Sequence, residues 1–278
     1  MSETREYLER LLRRYRTEYL INVDADEFEE TVKGFVDVKD AEIEGFQDPD
    51  AQRPMSVNFV WGHDLDFGAF EMTGSMEDNH LNVISRFVDT FGFPLSLDGC
   101  RALDIGCWTG GISLLLAAMG AKVVAVEEVR KYIVALRYLV DAFGISDSVD
   151  ARPLSLYKCT GPEFEGVFDY VVMSGVLYHV TDPVLALRIT FNCLKVGGQL
   201  LLETMFSPTE GESLSYYGCR SGWNWLVPTQ GAVIAMLKDV GYTEISEPLD
   251  VPSMRLHVLA TKTEERDMAR AGLSRRVR

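Results

Sequence analysis

Hydrophobic and polar positions recur along this chain with two different periods, and the changes of period mark its elements. Leu8, Leu11, Leu12, Tyr15 and Tyr19 fall three and four residues apart, which predicts an amphipathic helix over residues 3–21. The acidic stretch that follows, through Asp48 and Pro54, has scattered charges and no period, and reads as an irregular connection. Residues 55–75 mix aromatics, a histidine and three glycines, again without a period. A second helix is predicted over Asn79–Phe91, before a turn at 92–99. From Arg101 the pattern becomes regular. RALDI, KVVAVE, SVDARP, FDYVVMS and GGQLLLETMF read as strands, and GISLLLAAMG, VRKYIVALRYLVDAFG and DPVLALRITFNCL as helices between them. The last of these helices carries proline in its first turn, where the missing N–H would have no partner in any case. An aromatic-rich irregular segment at 207–227, a helix at 229–240 and the strand RLHVLATK complete the pattern.

Strands alternating with helices of this length imply βαβ units, hence an α/β fold with a parallel sheet covered on both faces. The expected organisation is a helical and irregular cap at 1–99, a sheet domain at 100–262 and a tail at 263–278. Composition agrees: 278 residues, 47% hydrophobic and 25% charged, suit a globular chain. No apolar run approaches the roughly 18 residues of a membrane span, and MSETREYLERLLRRYR has no signal-peptide core, so a cytoplasmic protein without a membrane partner is expected.

Charge narrows the partners. Forty-two acids against 27 bases give −15, which offers a phosphate backbone no long-range attraction, so nucleic acid is not an expected partner. Residues 24–50 hold 11 acids and two lysines, whereas 262–278 hold six bases and three acids, a tail that either frays in solvent or touches an anion. Five cysteines without CxxC spacing point to free thiols and away from a zinc site.

The chemistry concentrates where the first regular strand runs into LDIGCWTGG. Asp104, Gly106, Gly110 and Gly111 straddle the strand-to-helix turn, where glycines let a ligand approach the backbone and a helix N-terminus offers free N–H groups. Twenty-one residues past Gly106 the second strand ends in Glu127, a carboxylate placed to accept two ribose hydroxyls. Two aromatic segments with polar tips are candidate acceptor walls. One holds Trp61, His63 and Phe67; the other holds Tyr216, Tyr217, Arg220, Trp223, Asn224 and Trp225. Arg220 reads either as a carboxylate-binding cation or as a solvated side chain.

LDIGCWTGG, the Glu127 strand end, FDYVVMSGVLYHVTDP and LKVGGQLLLETMF together resemble the motifs of class I S-adenosylmethionine-dependent methyltransferases over residues 100–262. The resemblance implies a Rossmann-like sheet and S-adenosylmethionine as cofactor. It assigns Asp104, Gly106, Cys107, Gly110, Glu127, Leu156 and Ser174 to the cofactor, with Leu156 where adenine packs. Tyr178 and His179 match a Tyr-His pair at the rim facing the reactive methyl, His179 serving either as a base or as an orienting residue. GVLYH, LLLET and FGAFEMTG carry a narrower similarity, to enzymes that alkylate the wobble uridine of tRNA with carboxy-S-adenosylmethionine. Those enzymes place a lysine where this chain has Asp66 and Phe67, and Arg255 is a candidate for a second basic position. The expectation is therefore methyl transfer from S-adenosylmethionine to a small polar metabolite or natural product, with tRNA wobble-uridine modification and a non-catalytic cofactor-binding partner as alternatives.

Overall fold

The computed structural model describes residues 2–37, 59–218 and 224–266. By their contacts these fall into two units, one ending at Leu154 and one beginning at Ser155.

The first unit opens with α1 (Glu3–Leu12), capped by Ser2, which accepts the Arg5 N–H. It is shorter than its apolar spacing predicts. Two 3-10 turns follow, separated by Arg16 in an extended conformation. Tertiary bonds take over there: the Tyr15 hydroxyl donates to the Leu114 carbonyl at 3.0 Å, and the Thr17 N–H donates to the Phe67 carbonyl at 2.7 Å. A second helix, α2 (Ala25–Gly34), lies in the stretch read as an irregular connection. Only Phe28 and Val32 of it are buried, too few positions to show a period, although Asp24 accepting the Glu27 N–H is an ordinary N-terminal signal. Phe28 sits among Phe67, Phe70, Tyr138 and Phe143, with ring centroids 5.1 to 5.9 Å away.

A two-residue hairpin, β1 (Leu65–Asp66) with β2 (Glu71–Met72), precedes α3 (Asn79–Phe91), which has the predicted bounds. Then come β3 (Arg101–Ile105), α4 (Gly111–Ala118), β4 (Lys122–Glu127), α5 (Arg130–Ala142) and β5 (Val149–Pro153). The three strands are parallel with β4 in the middle, as βαβ connections dictate. Every residue of α4 is buried, which explains an apolar run with little amphipathic contrast.

The second unit holds β6 (Phe168–Ser174), α6 (Pro183–Cys193), β7 (Leu194–Met205), β8 (Leu214–Tyr216), β9 (Leu226–Pro228) and α7 (Gln230–Val240). Short strands β10 (Glu244–Ile245) and β11 (Leu249–Val251) precede the long β12 (Arg255–Thr261). β6 and β7 are parallel, but β12 runs antiparallel to β7, β10 and β11 alike. The all-parallel expectation therefore ends at β7. β10 and β11 follow the direction of β7, and a tight turn with positive φ at Ser253 and Met254 sends β12 back. Two buried cations hold this unit together from inside. Arg188 and Lys262 lie 4.8 and 4.7 Å from the Phe191 ring centroid. Arg188 donates to the Val240 and Arg266 carbonyls at 2.6 and 2.8 Å, and Lys262 to the Leu194 carbonyl at 2.8 Å.

Removing Phe28 should expose how much α2 contributes. Phe28→Ala deletes a fully buried ring and should cost about 3–5 kcal/mol of unfolding free energy. Urea denaturation checks this, and a loss below about 1 kcal/mol would mean that α2 is not part of the cooperative core.

Candidate active site

In the first unit the side chains of interest gather at the C-terminal ends of β3 and β4. β3 passes into a turn in which Gly106, Trp108 and Gly110 all have positive φ. For tryptophan this conformation is uncommon, and specific bonds hold it. The Trp108 peptide N–H donates to Glu127 Oε2 at 3.2 Å, and its indole Nε1–H donates to the Val60 carbonyl at 3.0 Å. The ring meets His63 and Tyr132 at centroid distances of 6.0 and 6.1 Å. Glu127, the last residue of β4, takes the Val129 N–H on its other oxygen at 3.0 Å. Burial pushes its carboxyl above the usual range, and the N–H groups of Val129 and Trp108 oppose that shift.

Asp104 lies beneath the turn at 2% exposure. Its Oδ2 accepts the Ser113 hydroxyl at 2.6 Å, so it serves the first turn of α4, where Gly110 has no side chain to cap with. Burial raises its pKa to about 7, against the Ser113 bond and with help from the charge of Glu127. Cys107 is buried beside them, and burial first, then both carboxylates, push its thiol upward. His63 packs on the helix start so closely that a Cβ on Gly111 would lie 2.6 Å from its Nδ1, which is why only glycine fits there. Behind it, 5.0 Å from the His63 ring, His80 is fully buried and kept neutral, chiefly by burial and then by the charges of His63 and Arg5.

The first unit thus brings together Asp104, Gly106, Cys107, Gly110, Glu127 and His63. Trp61 is 1% exposed and packs near Phe59. Phe67, also 1% exposed, belongs to the Phe28 cluster, where its ring presents no surface to a ligand. Asp66 is paired with Arg16.

In the second unit Ser174 ends β6, and Tyr178 and His179 occupy a one-turn 3-10 helix, Leu177–His179, with ring centroids 4.1 Å apart. Ser174 Oγ donates to Glu203 Oε2 at 2.9 Å. Arg255, the first residue of β12, grips both Glu203 oxygens through Nε and Nη2 and donates from Nη1 to the Tyr178 hydroxyl at 3.0 Å. Burial raises the Tyr178 phenol, Arg255 opposing, while Glu203 holds Arg255 firmly charged against the cost of its own burial. The Trp225 N–H donates to the Tyr178 carbonyl at 2.8 Å, which ties the β8–β9 hairpin to the same turn. Asn224 is part-exposed beside it, and Leu156 is buried in a separate 3-10 turn, Leu156–Lys158. Arg220 and Trp223 lie outside the described residues.

Sequence reasoning missed Trp108 and Glu203. Each had a visible signal: a large aromatic inside a glycine turn, and an acid in the otherwise apolar run LLLET. Among the described residues no cluster of His, Cys, Asp and Glu fits a metal ion, and no helix is long and apolar enough to cross a membrane.

A glycine turn after the first parallel strand, with an acid ending the second, is the arrangement of a Rossmann-like nucleotide-binding α/β fold. Comparison with known proteins makes this specific: the methyltransferase domain family matches residues 76–267, and the chain belongs to that family. A tRNA U34 carboxymethyltransferase of Cellvibrio japonicus is 30% identical over 151 residues, 53% of this chain and 46% of that protein. A ubiquinone biosynthesis O-methyltransferase of Xanthomonas campestris is 34% identical over 118 residues, 42% of this chain and 48% of that protein. The chain thus spans about half the length of these curated relatives. The N-terminal domain of EvdMO1, crystallised in the presence of SAH and D-fucose, superposes with a TM-score of 0.60 over 90% of this chain and 100% of that one, at 17% identity. That likeness concerns the fold.

Asp104 makes stability depend on pH in a definite direction. Its pKa rises from 3.8 to about 7 on folding, so the folded state binds the proton more tightly. The resulting stabilisation is complete below about pH 4 and is lost as pH rises through 7. Asp104→Asn should therefore flatten the pH profile by up to about 4 kcal/mol across that window. Denaturant titrations of both proteins from pH 4 to 8 check it; parallel profiles would mean that Asp104 ionises normally.

Proposed function

We propose that this chain is an S-adenosylmethionine-dependent methyltransferase acting on a small polar acceptor. The observation that carries the reading is the Asp104–Glu127 arrangement. Burial disfavours the ionised form of both, of Asp104 beneath the turn and of Glu127 at the strand end beside it, and a cationic, hydroxyl-bearing ligand at the turn would relieve Glu127. Glu127 would take the ribose hydroxyls, its orientation already set by the Val129 and Trp108 N–H groups. Gly106, Cys107 and Gly110 would line the approach and Asp104 would hold the start of α4; in the second unit Leu156 and Ser174 are the residues that the resemblance assigns to the cofactor.

When bound, the cofactor supplies an activated methyl on a sulfonium, so the protein's task is to align an acceptor atom behind that carbon and keep water out. Tyr178 and His179 would stand at the reacting end. His179 is needed as a base only if the acceptor atom carries a proton at neutral pH. His63 in the first unit and, separately, Asn224 and Trp225 in the second would be candidates for acceptor contacts, whereas Trp61 and Phe67, each 1% exposed, go to the core.

The 30% identity to a tRNA carboxymethyltransferase supports a second reading. Against it stand a net charge of −15 and an Arg255 whose charge Glu203 already balances. A carboxymethyl sulfonium would bring its anion to an Arg255 whose charge is already met. Label transfer from tritiated S-adenosylmethionine should appear in a metabolite extract. Label in bulk tRNA instead would move the acceptor to RNA, and label in neither would leave a cofactor-binding protein. S-adenosylmethionine should bind at least about tenfold more tightly than its carboxy analogue; the opposite order in a competition titration overturns the cofactor assignment. Glu127→Ala should cost about 2–4 kcal/mol of cofactor affinity, and calorimetry giving wild-type affinity would place the ribose elsewhere.

A further inference from the structure

The β8–β9 hairpin presents one strand edge to solvent. Every residue from 208 to 217 is exposed, with Tyr216 at 70% and Leu214 at 41%. Among the described residues β8 pairs with β9 alone. The register fixes where its backbone groups point. The Ser213 carbonyl accepts the Thr229 N–H at 2.9 Å, and the Tyr217 N–H donates to the Trp225 carbonyl at 2.9 Å. Backbone groups alternate along a strand, so Ser213, Ser215 and Tyr217 turn theirs inward to β9. Leu214 stands opposite Pro228, which has no N–H to give it. The N–H and C=O groups of Leu214 and Tyr216 therefore point outward, and they have no hydrogen-bond partner among the described residues. Residues 213–218, SLSYYG, hold neither a charge nor a proline, so the side chains that commonly keep a free edge from pairing are missing.

We propose that this outer edge of β8 pairs with the same edge of a second copy of the chain, antiparallel, with Ser215 on the twofold axis. That register is self-complementary. Leu214 of each copy faces Tyr216 of the other, and both such pairs exchange their outward N–H and C=O groups. On one face of the joined sheet each Leu214 side chain then lies against a Tyr216 ring, a favourable cross-strand contact. Glu212, the nearest acid, falls opposite Gly218 of the other copy, so two chains of net charge −15 bring no acid against an acid along the edge. An unrelated strand would supply the backbone bonds without this match of side chains and charges. The hairpin also reaches the Tyr178 carbonyl through the Trp225 N–H, so the pairing would steady the turn that holds Tyr178. It does not depend on the methyltransferase reading.

Sedimentation velocity of the full chain over about 1–100 µM should show a reversible dimer. Ser215→Cys reads the register directly. Position 215 would meet its own copy in a non-hydrogen-bonded pair, with Cα atoms about 4.5 Å apart, a separation that a disulfide spans. Mild oxidation with copper phenanthroline in air should join the two introduced thiols, and mass spectrometry should recover the cross-linked peptide. Leu214→Glu and Tyr216→Lys should each weaken the dimer at least about tenfold. Both changes in one chain should restore it to within about threefold of wild type, because each acid then faces a lysine of the other copy. Melting temperatures near that of the wild type show that the variants fold. A monomer throughout the concentration range overturns the proposal and leaves the edge to a different partner. A dimer that neither single substitution weakens, and that the introduced thiol does not cross-link, overturns it as well, because such a dimer uses another face.

Discussion

The first unit is organised around the Glu127 carboxylate. A carboxylate drawn partly out of water is unstable unless donors meet it, and here the donors are peptide N–H groups from two segments distant in sequence, Trp108 and Val129. That pairing joins the turn after β3 to the start of α5. It also sets Trp108 in its left-handed conformation, and the indole then reaches the Val60 carbonyl and anchors the segment preceding β1. The position of His63 over the start of α4 follows from the same anchoring, because neighbouring Gly62 lies against Trp108 and Thr109. A single acid at a strand end thus determines the shape of the turn and what lies over it.

The second unit solves a comparable problem with opposite components. Its cation, Arg255, is met by a nearly inaccessible Glu203, and Ser174 and Tyr178 complete the set. Charge pairs of this kind add little net stability once desolvation is counted, but removing one member leaves the other stranded. Their value is in fixing geometry, and the residue held is Tyr178, in a one-turn 3-10 helix without a side-chain cap.

What could be read from the sequence follows the range of the forces involved. The βαβ alternation was legible because both periods arise from local geometry and burial, and the places of Gly106 and Gly110 in the turn and of Glu127 at the next strand end because their spacing reflects one βαβ unit. α2 was not legible, since its stability comes from Phe28 entering a cluster built by residues up to Phe143. The short antiparallel strands β8 to β11 were missed for the same reason: two or three residues carry no period, and pairing alone defines them. The Arg255–Glu203 pair spans 52 positions, and nothing local announces it. The single helix expected over 3–21 erred in the other direction, because helical spacing persisted where tertiary bonds from Tyr15 and Thr17 had already ended the helix.

The placement of cations around Phe191 has a consequence for ionic strength. Arg188 and Lys262 are inside the second unit, their partners are mostly backbone carbonyls, and dissolved ions screen such bonds little. The chain as a whole, by contrast, carries a net charge of −15, and the mutual repulsion of acids in water is relieved by salt. The bonds of Arg188 and Lys262 are therefore sheltered from salt, whereas the net repulsion of the chain is not. The chain should tolerate concentrated salt better than dilute buffer, and a melting temperature that fell with added sodium chloride would show that exposed ion pairs matter more than their positions suggest.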